Sequence, residues 1–175
     1  MKNFFLFIFS FLAIFNLASQ SLYDYDVEAK IASLGIDLPA PSSPVGNYVN
    51  SVRTGNLVYM AGLGPSGPNG YVTGRLGKEL SIEEGYQAAR LTAIAQLTAL
   101  KAEIGDLNKV KRIVKVFGMV NSDPSFTSQP AVINGFSDLM VEVFGDRGKH
   151  ARAAVGMASL PMNICVEVEM IVEIE

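Results

Sequence analysis

The last 26 residues of the chain, 150–175, place the tightest limits on its fold. Residues 166–174 alternate between apolar and polar side chains, which predicts a β-strand with one buried face. The apolar face carries Val166, Val168, Met170, Val172 and Ile174, and the polar face carries Glu167, Glu169 and Glu173. Residues 150–160 form a second strand-like run, and Pro161 marks the turn between the two. The chain therefore predicts a sheet that receives its last two strands here.

Arg152 is the only charged residue in the small and apolar run 151–161. A guanidinium keeps its charge at any working pH and is costly to bury without a partner or an anionic ligand. We expect Glu167, on the adjoining strand, to lie near Arg152 and the chemistry to occur at this pair. The alternative for Arg152 is a structural ion pair between strands or subunits. The alternative for Glu167 is one exposed carboxylate among several.

Composition excludes several classes of function. The 175 residues suffice for one domain with a proper core, and the formal net charge is −3 without a Lys/Arg-rich stripe. The sequence thus lacks the basic footprint of a nucleic-acid-binding protein. Cys165 is the only cysteine and His150 the only histidine. An intramolecular disulfide is impossible, and a zinc site built on this single pair is rejected.

The N-terminus differs in composition from the rest of the chain. Lys2 is followed by an apolar run over residues 4–15 and by small polar residues up to position 20. This pattern predicts a signal peptide over residues 1–20, and hence an exported protein that is periplasmic or secreted. The apolar run is shorter than the roughly 20 residues of a membrane-spanning helix. We therefore expect no stable membrane span in the mature protein, with an uncleaved signal anchor as the alternative.

Residues 21–45 read as an N-terminal extension. Val27, Ile31 and Leu34 are spaced as on one face of a short helix that stops at Gly35, and a Pro/Ser-rich connection follows. Two β-rich runs, 48–54 and 57–61, then flank a two-residue Gly-Asn loop. This arrangement predicts a β-hairpin at the start of the main domain.

Two amphipathic helices are predicted between the hairpin and the terminal strands. Ser81 and Glu84 form a capping box, and the helix behind them ends at Gly105. Its apolar stripe is expected to face the core and consists of Ile82, Tyr86, Ala89, Ala93, Leu97, Leu100 and Ile104. A strand over 110–120 follows, and then a second helix from Pro130 to Gly145. For residues 46–175 this order predicts an α+β fold, a mixed sheet with two main helices packed on one face.

Several short motifs occur together and in a recognisable order. They are Gly46-Asn-Tyr48, the stretch 55–62 (GNLVYMAG), Ala151-Arg152, and Leu160-Pro161 followed by 166–169 (VEVE). As a set they resemble the signature pieces of the RidA/YjgF family, across roughly residues 40–175. Residues 126–135 and 150–156 are similar to a branch of that family distinct from RidA itself. The resemblance implies a chorismate-mutase-like fold and a homotrimer with clefts between subunits. It also implies hydrolysis of reactive 2-enamines and 2-imines to 2-keto acids and ammonia, with no cofactor.

The resemblance also assigns roles to individual residues. Arg152 matches the Arg that binds the substrate carboxylate, and Glu167 matches the Glu that positions a water molecule. Tyr48 and Asn134 match residues of the substrate site, and Ala154 stands where the family has a Cys beside the site. These roles suit the side chains, because a guanidinium holds a carboxylate bidentately and a carboxylate can orient water for attack on an imine carbon. Tyr48 and Asn134 are alternatively ordinary packing residues, and His150 is predicted to be a loop residue without a role.

Other positions depart from the family pattern. Asn47 stands where the family has a Pro, Leu63 where it has a Gln, and Ala153 where it often has a Ser. Two functions remain open: a deaminase acting on enamines and imines, and a non-catalytic module that binds a small carboxylate in the same cleft. A catalyst must keep both the Arg and a positioned water, whereas a binding module needs only the Arg. The ribonuclease label of some relatives is disfavoured by the acidic charge balance.

Overall fold

The computed structural model describes residues 22–67 and 69–175. The predicted signal peptide, residues 1–20, lies outside the described residues. The described chain forms a mixed five-stranded sheet with helices packed on one face, which confirms the predicted α+β class. No helix within these two ranges is long and apolar enough to cross a membrane.

The elements follow the predicted order. The helices of the described chain are α1 (Val27–Ser33), α2 (Ile82–Ile104) and α3 (Gln129–Phe144). Its strands are β1 (Ser51–Thr54), β2 (Leu57–Leu63), β3 (Ser66–Gly67), β4 (Gly70–Tyr71), β5 (Val110–Asn121), β6 (Ala151–Met157) and β7 (Val166–Ile174). Short 3₁₀ turns occupy Leu107–Lys109, Gly145–Gly148 and Pro161–Asn163. Strands β3 and β4 form a small separate hairpin.

Local sequence signals set the boundaries of the hairpin and of α2. Strands β1 and β2 pair around the two-residue loop, in which Gly55 has a φ of 59° that suits a residue without a Cβ. Ser81 and Glu84 make both hydrogen bonds of the capping box at the start of α2. Gly105 follows the helix with a φ of 79°. The predicted hairpin and α2 are therefore confirmed.

The strand order of the main sheet is β1-β2-β7-β5-β6. Strands β5 and β6 are parallel, and the other neighbouring pairs are antiparallel. A parallel pair requires a crossover connection, which α3 supplies between β5 and β6. Strand β5 therefore lies between β6 and β7. The expectation that Arg152 and Glu167 lie on adjoining strands is wrong, because the crossover delivers β6 to the outer side of β5.

Helices α2 and α3 bury one face of the sheet. They also cross each other closely at Gly135, where a Cβ would come within 2.0 Å of the Tyr86 carbonyl oxygen. The buried residues of α2 begin at Gly85. Ile82, expected in the core-facing stripe, is instead 44 % exposed, because it occupies the first turn ahead of the packed part of the helix. In the N-terminal extension, Val27 and Ile31 of α1 are buried in the same core.

The opposite face of the sheet carries a smaller apolar cluster. Met119, Leu160 and Ile164 are buried in it, and Phe117, Val155 and Met157 pack against them. No residue of a helix belongs to this cluster, and Leu160 and Ile164 come from the connection between β6 and β7. Tyr59, on the same face at β2, is 45 % exposed. We call this side of the sheet the open face.

A bulge interrupts the pairing of β2 with β7. The register shifts between Met60 and Leu63, so that two residues of β2 oppose one residue of β7. Gln96 of α2 is fully buried, and its Nε2 donates to the carbonyl oxygens of Ala61 (2.9 Å) and Val168 (2.6 Å). Gln96 thus bridges the two strands at the point where their own ladder is interrupted.

Replacing Gln96 by Leu should lower the free energy of unfolding by about 2 kcal/mol, because two strand carbonyls lose their donor inside the core. Thr92→Val is the matched control. Thr92 is also fully buried in α2, but its hydroxyl donates to the Ala88 carbonyl of the same helix, which the helical ladder already engages. Its loss should cost clearly less. Urea denaturation at one fixed protein concentration gives both values, and equal costs would argue against the bridging role of Gln96.

Candidate functional site

Arg152 lies on the edge strand β6, and its side chain points towards α3. Its Nη1 donates to Asn134 Oδ1 at 3.0 Å and to Ser137 Oγ at 2.9 Å, and its Nη2 lies 3.4 Å from the Pro130 carbonyl oxygen. Asn134 and Ser137 are three residues apart in α3 and therefore share one face of the helix. We call Asn134, Ser137 and Arg152 the arginine cluster.

The charge of Arg152 is not neutralised within the described protomer. The ion pairs among the described residues are Arg90–Glu142, Lys101–Glu28, Lys111–Glu173 and Lys149–Asp146. Arg152 takes part in none of them. The acceptors around the guanidinium are all neutral, so they use its hydrogens without cancelling its charge. A half-buried cation in this state favours an anionic ligand, above all a carboxylate. The ion-pair interpretation of Arg152 finds no partner in the described residues.

Ala154 lies on the same face of β6 as Arg152, two residues further on. It is half-buried against the main core, and its partner on β5 is Gly118. A Cβ at Gly118 would come within 2.6 Å of Ile133 of α3, so α3 packs directly onto the strands here. The structure therefore brings together three of the predicted site residues, Arg152, Asn134 and Ala154.

Glu167 lies elsewhere, on β7, beside a cavity of about 160 Å³. The residues that line this cavity come from the segment before β1, from β2, from β4 and from the connection before β7; they include Tyr48, Gly62, Leu63, Tyr71, Met162, Ile164 and Glu167. We call it the glutamate pocket. The structure thus brings together the other two predicted site residues, Tyr48 and Glu167.

The bulge of β2 shapes the surroundings of Glu167. A Cβ at Gly62 would come within 2.1 Å of Glu167 Oε1, so a glycine is needed for the carboxylate to pack on the β2 backbone. No described residue donates a hydrogen bond to this carboxylate. Burial raises the pKa of Glu167 above its ordinary value of 4.5, and the charge of Glu169 raises it further. Glu167 is thus a carboxylate that is free to accept a proton or to hold water.

The arginine cluster and the glutamate pocket are too far apart to serve one small molecule within a protomer. Arg152 is in register with Val116, which pairs with Met170, so two strand spacings and three further residues separate Arg152 from Glu167. This corresponds to about 14 Å between the two Cα atoms. The side chains also lie on opposite faces of the sheet, because the neighbours of Glu167 on β7 are buried under the helices while Arg152 itself contacts α3.

Comparison with known proteins identifies the family. The model of the YjgF/chorismate-mutase-like family, whose description also carries an endoribonuclease label, matches residues 28–174. The chain belongs to the RidA/YjgF family. This confirms the resemblance that the short motifs indicate, and the chorismate-mutase-like fold with it.

Individual RidA/YjgF relatives agree with this assignment. Protein TCP17 of Trypanosoma cruzi is 46 % identical over 150 residues, which cover 85 % of this chain and 94 % of the relative. The 2-iminobutanoate/2-iminopropanoate deaminase of Dermatophagoides farinae is 33 % identical over 142 residues, 80 % of this chain and 95 % of the relative. Atu1372 from Agrobacterium tumefaciens, a protein of unknown function, has a crystal structure that superposes on this chain with a TM-score of 0.77. Its sequence is 43 % identical, and the match covers 85 % of this chain and 91 % of Atu1372.

Sequence reasoning missed three residues around this RidA/YjgF site. Ser137 completes the arginine cluster, and its spacing of three from Asn134 was the available signal. Gln96 holds the bulge beneath the glutamate pocket, and the available signal was a polar residue beside the apolar stripe of α2, three residues after Ala93 and four before Leu100. His150 lies in the loop directly ahead of β6, as predicted. It is the third missed residue, because its Nε2 lies 3.0 Å from Ser137 Oγ and so contacts the arginine cluster. Within residues 22–67 and 69–175, no cluster of His, Cys, Asp or Glu is arranged to hold a metal ion.

The raised pKa of Glu167 predicts a stability cost that depends on pH. Burial favours the protonated carboxyl in the folded state. Below pH 4.5 Glu167 is protonated in the folded and the unfolded protein, and the fold has its full stability. As the pH rises through the folded pKa, the half-buried carboxyl ionises and this stability is lost. Glu167→Gln should therefore raise the melting temperature at pH 8 but not at pH 4. Glu169→Gln removes only the smaller cause and should act in the same direction more weakly. A Glu167→Gln variant with an unchanged melting temperature at both pH values would contradict the burial argument.

Proposed function

We propose that this RidA/YjgF-family protein hydrolyses reactive 2-enamine and 2-imine acids to 2-keto acids and ammonia. The observation that carries the proposal is the pair of side chains without a counterpart: a half-buried Arg152 surrounded by neutral acceptors, and a Glu167 carboxylate that receives no hydrogen bond from the described residues. The first suits the carboxylate of such a substrate, and the second suits the water that must attack it. The relative named as a deaminase supports the same reaction class.

Each residue has a defined task in the proposed reaction. Arg152 binds the substrate carboxylate and fixes the position of the neighbouring C=N carbon. Glu167 accepts a proton from water while the water oxygen attacks that carbon, and the nitrogen then leaves as ammonia after proton transfer. The raised pKa of Glu167 favours this role, because a base with a higher pKa takes a proton more readily. An enamine enters the same path once a proton adds to its terminal carbon and gives the imine.

We propose that the complete site forms between subunits of a homotrimer. The arginine cluster and the glutamate pocket are different surfaces of one protomer, so a contact that joins them is heterologous, and such a contact closes into a three-membered ring when each copy is rotated by a third of a turn from the last. Strand β6 is an edge of the sheet, which leaves Arg152 accessible to a neighbouring copy. The apolar side chains of the open face give such a ring a surface to bury.

The second candidate function is a non-catalytic module that binds a small carboxylate. The observation that favours it is that the arginine cluster is complete within one protomer, with Asn134 and Ser137 already holding Arg152. Such a module needs no contribution from Glu167.

The N-terminal sequence adds a proposal about location. We propose that residues 1–20 direct export of the protein, on the evidence of their composition alone. An exported deaminase meets imines that form outside the cytoplasm, such as products of amino-acid oxidation. Detection of the native protein in the cytosol with residues 1–20 still attached would overturn this.

Arg152→Ala should abolish most of the deaminase activity. With 2-iminopropanoate generated in situ, the purified protein should accelerate keto-acid release over buffer, and the variant should lower kcat/KM by about 100-fold, because two charge-assisted hydrogen bonds to the carboxylate are lost. Arg53→Ala, which removes an exposed Arg on β1, is the control and should leave the rate unchanged.

No acceleration with any imine would exclude the deaminase. If pyruvate still raised the melting temperature of the wild type but not of Arg152→Ala, the binding module would be the function instead.

A mixing experiment tests whether the site is shared between subunits. Arg152→Ala and Glu167→Gln should each be inactive as homotrimers. Equal amounts of the two variants are then refolded together. The Glu167→Gln subunit still carries Arg152, and the Arg152→Ala subunit still carries Glu167. A site is intact where these two subunits are neighbours in the right order. Random assembly into a ring makes about a quarter of the sites intact, so about a quarter of the wild-type activity should return. Mixed trimers that form, as seen by native mass spectrometry, but stay inactive would contradict the shared site.

A further inference from the structure

A chain of hydrogen bonds leads from Arg152 back into the fold. Arg152 Nη1 donates to Ser137 Oγ at 2.9 Å, Ser137 Oγ lies 3.0 Å from His150 Nε2, and His150 Nδ1 lies 2.6 Å from the Gly148 carbonyl oxygen. A carbonyl oxygen can only accept, so the hydrogen is on Nδ1. In the neutral ring Nε2 is then an acceptor, and the Ser137 hydroxyl donates to it. The oxygen of Ser137 is thereby turned to receive Arg152.

The surroundings of His150 favour this neutral ring. Burial lowers the pKa of His150 below its ordinary value of 6.5, and the positive charge of Arg152 lowers it further, against the opposing effect of the hydrogen bond to Gly148. The neighbouring Lys149 is paired with Asp146 at the surface. The direction of the whole chain therefore runs one way, from the guanidinium through the hydroxyl and the imidazole to the backbone.

The hydrogens of Arg152 can be assigned one by one. Both hydrogens of Nη1 are used, one by Asn134 and one by Ser137, and one hydrogen of Nη2 points to the Pro130 carbonyl. The Nε hydrogen and the second Nη2 hydrogen remain. The Nε and Nη2 nitrogens form one edge of the planar guanidinium, and their spacing matches that of the two carboxylate oxygens.

We propose that Ser137 and His150 are positioning residues, which fix Arg152 so that its Nε/Nη2 edge receives the ligand carboxylate. The inference rests on the proposed function only in taking a 2-imino or 2-keto acid as the ligand, and it holds equally for a binding module. Without the chain, one Nη1 hydrogen loses its acceptor and only Asn134 and the Pro130 carbonyl still hold the guanidinium, which then rotates among more orientations, with only some of them suited to the ligand. Ligand binding must then pay the entropy of fixing the side chain.

Four variants test the chain, in two matched pairs. Ser137→Ala removes the link, whereas Ser137→Thr keeps a hydroxyl on the same carbon. His150→Phe keeps a ring of similar size without nitrogens, whereas His150→Gln keeps an acceptor that can reach Ser137. The dissociation constant of pyruvate, from isothermal titration calorimetry, is the first measurement and does not depend on catalysis. The kcat and KM for 2-iminopropanoate are the second.

Ser137→Ala and His150→Phe should each weaken pyruvate binding by about threefold to tenfold, and Ser137→Thr and His150→Gln should recover most of the loss. KM should rise by a similar factor while kcat stays within about twofold, because the loss is in holding the carboxylate. A merely structural role would lower the melting temperature and the active fraction, and hence kcat, without changing the pyruvate affinity of the folded protein.

Several results would overturn the proposal. Unchanged pyruvate affinity in Ser137→Ala would show that Ser137 does not position Arg152. If only His150→Phe left the affinity unchanged, Ser137 would position Arg152 without help from His150. Failure of the wild type to bind pyruvate would show that Arg152 does not receive a 2-keto carboxylate at all. In contrast, a wild type that binds pyruvate but hydrolyses no imine excludes the deaminase and leaves the positioning role supported by the affinities.

Discussion

The parallel pairing of β5 with β6 is the constraint on which the rest of the structure depends. Parallel neighbours need a crossover, and here the crossover contains α3, which is laid over the strands that it connects. As a result Asn134 and Ser137 stand above Arg152 and can hold it. The same pairing inserts β5 between β6 and β7 and so moves Glu167 away. One topological choice therefore both builds the arginine cluster and separates it from the carboxylate.

The glutamate pocket is costly for the protomer to maintain. Glu167 is half-buried and receives no hydrogen bond from the described residues, and its neighbour Glu169 carries the same charge. Position 62 must also be a glycine, because a side chain there would clash with the Glu167 carboxylate. The bulge of β2 interrupts the ladder, and Gln96 replaces part of what is lost with two side-chain hydrogen bonds from α2. Features that lower stability and recur at one place are expected at functional sites rather than at purely structural ones.

Elements that depend on neighbours in sequence were predictable, and those that depend on distant partners were not. The capping box of Ser81, the hairpin at Gly55 and the alternation of β7 are local patterns, and each is found at its predicted place. The strand order is different, because alternation shows which face of a strand is buried but says nothing about which strand pairs with it. The expected contact between Arg152 and Glu167 failed for this reason. The contact between His150 and Ser137 could not be predicted for a similar reason, because it depends on where α3 crosses the sheet.

The separation of the two half-sites changes the meaning of the departures from the family pattern. Ala154 lies beside Arg152, whereas Leu63 lines the glutamate pocket, so the two departures act on different surfaces of the protomer. In the proposed deaminase the glutamate pocket holds the attacking water, and Leu63 offers no amide there, so more of that task would fall to Glu167 itself. At the arginine cluster, an Ala on β6 offers no polar group, and the groups that hold Arg152 come instead from α3. On the proposed function, carboxylate recognition would depend on how α3 packs against β6 and water activation on the bulge of β2, so that either property could change while the other persists.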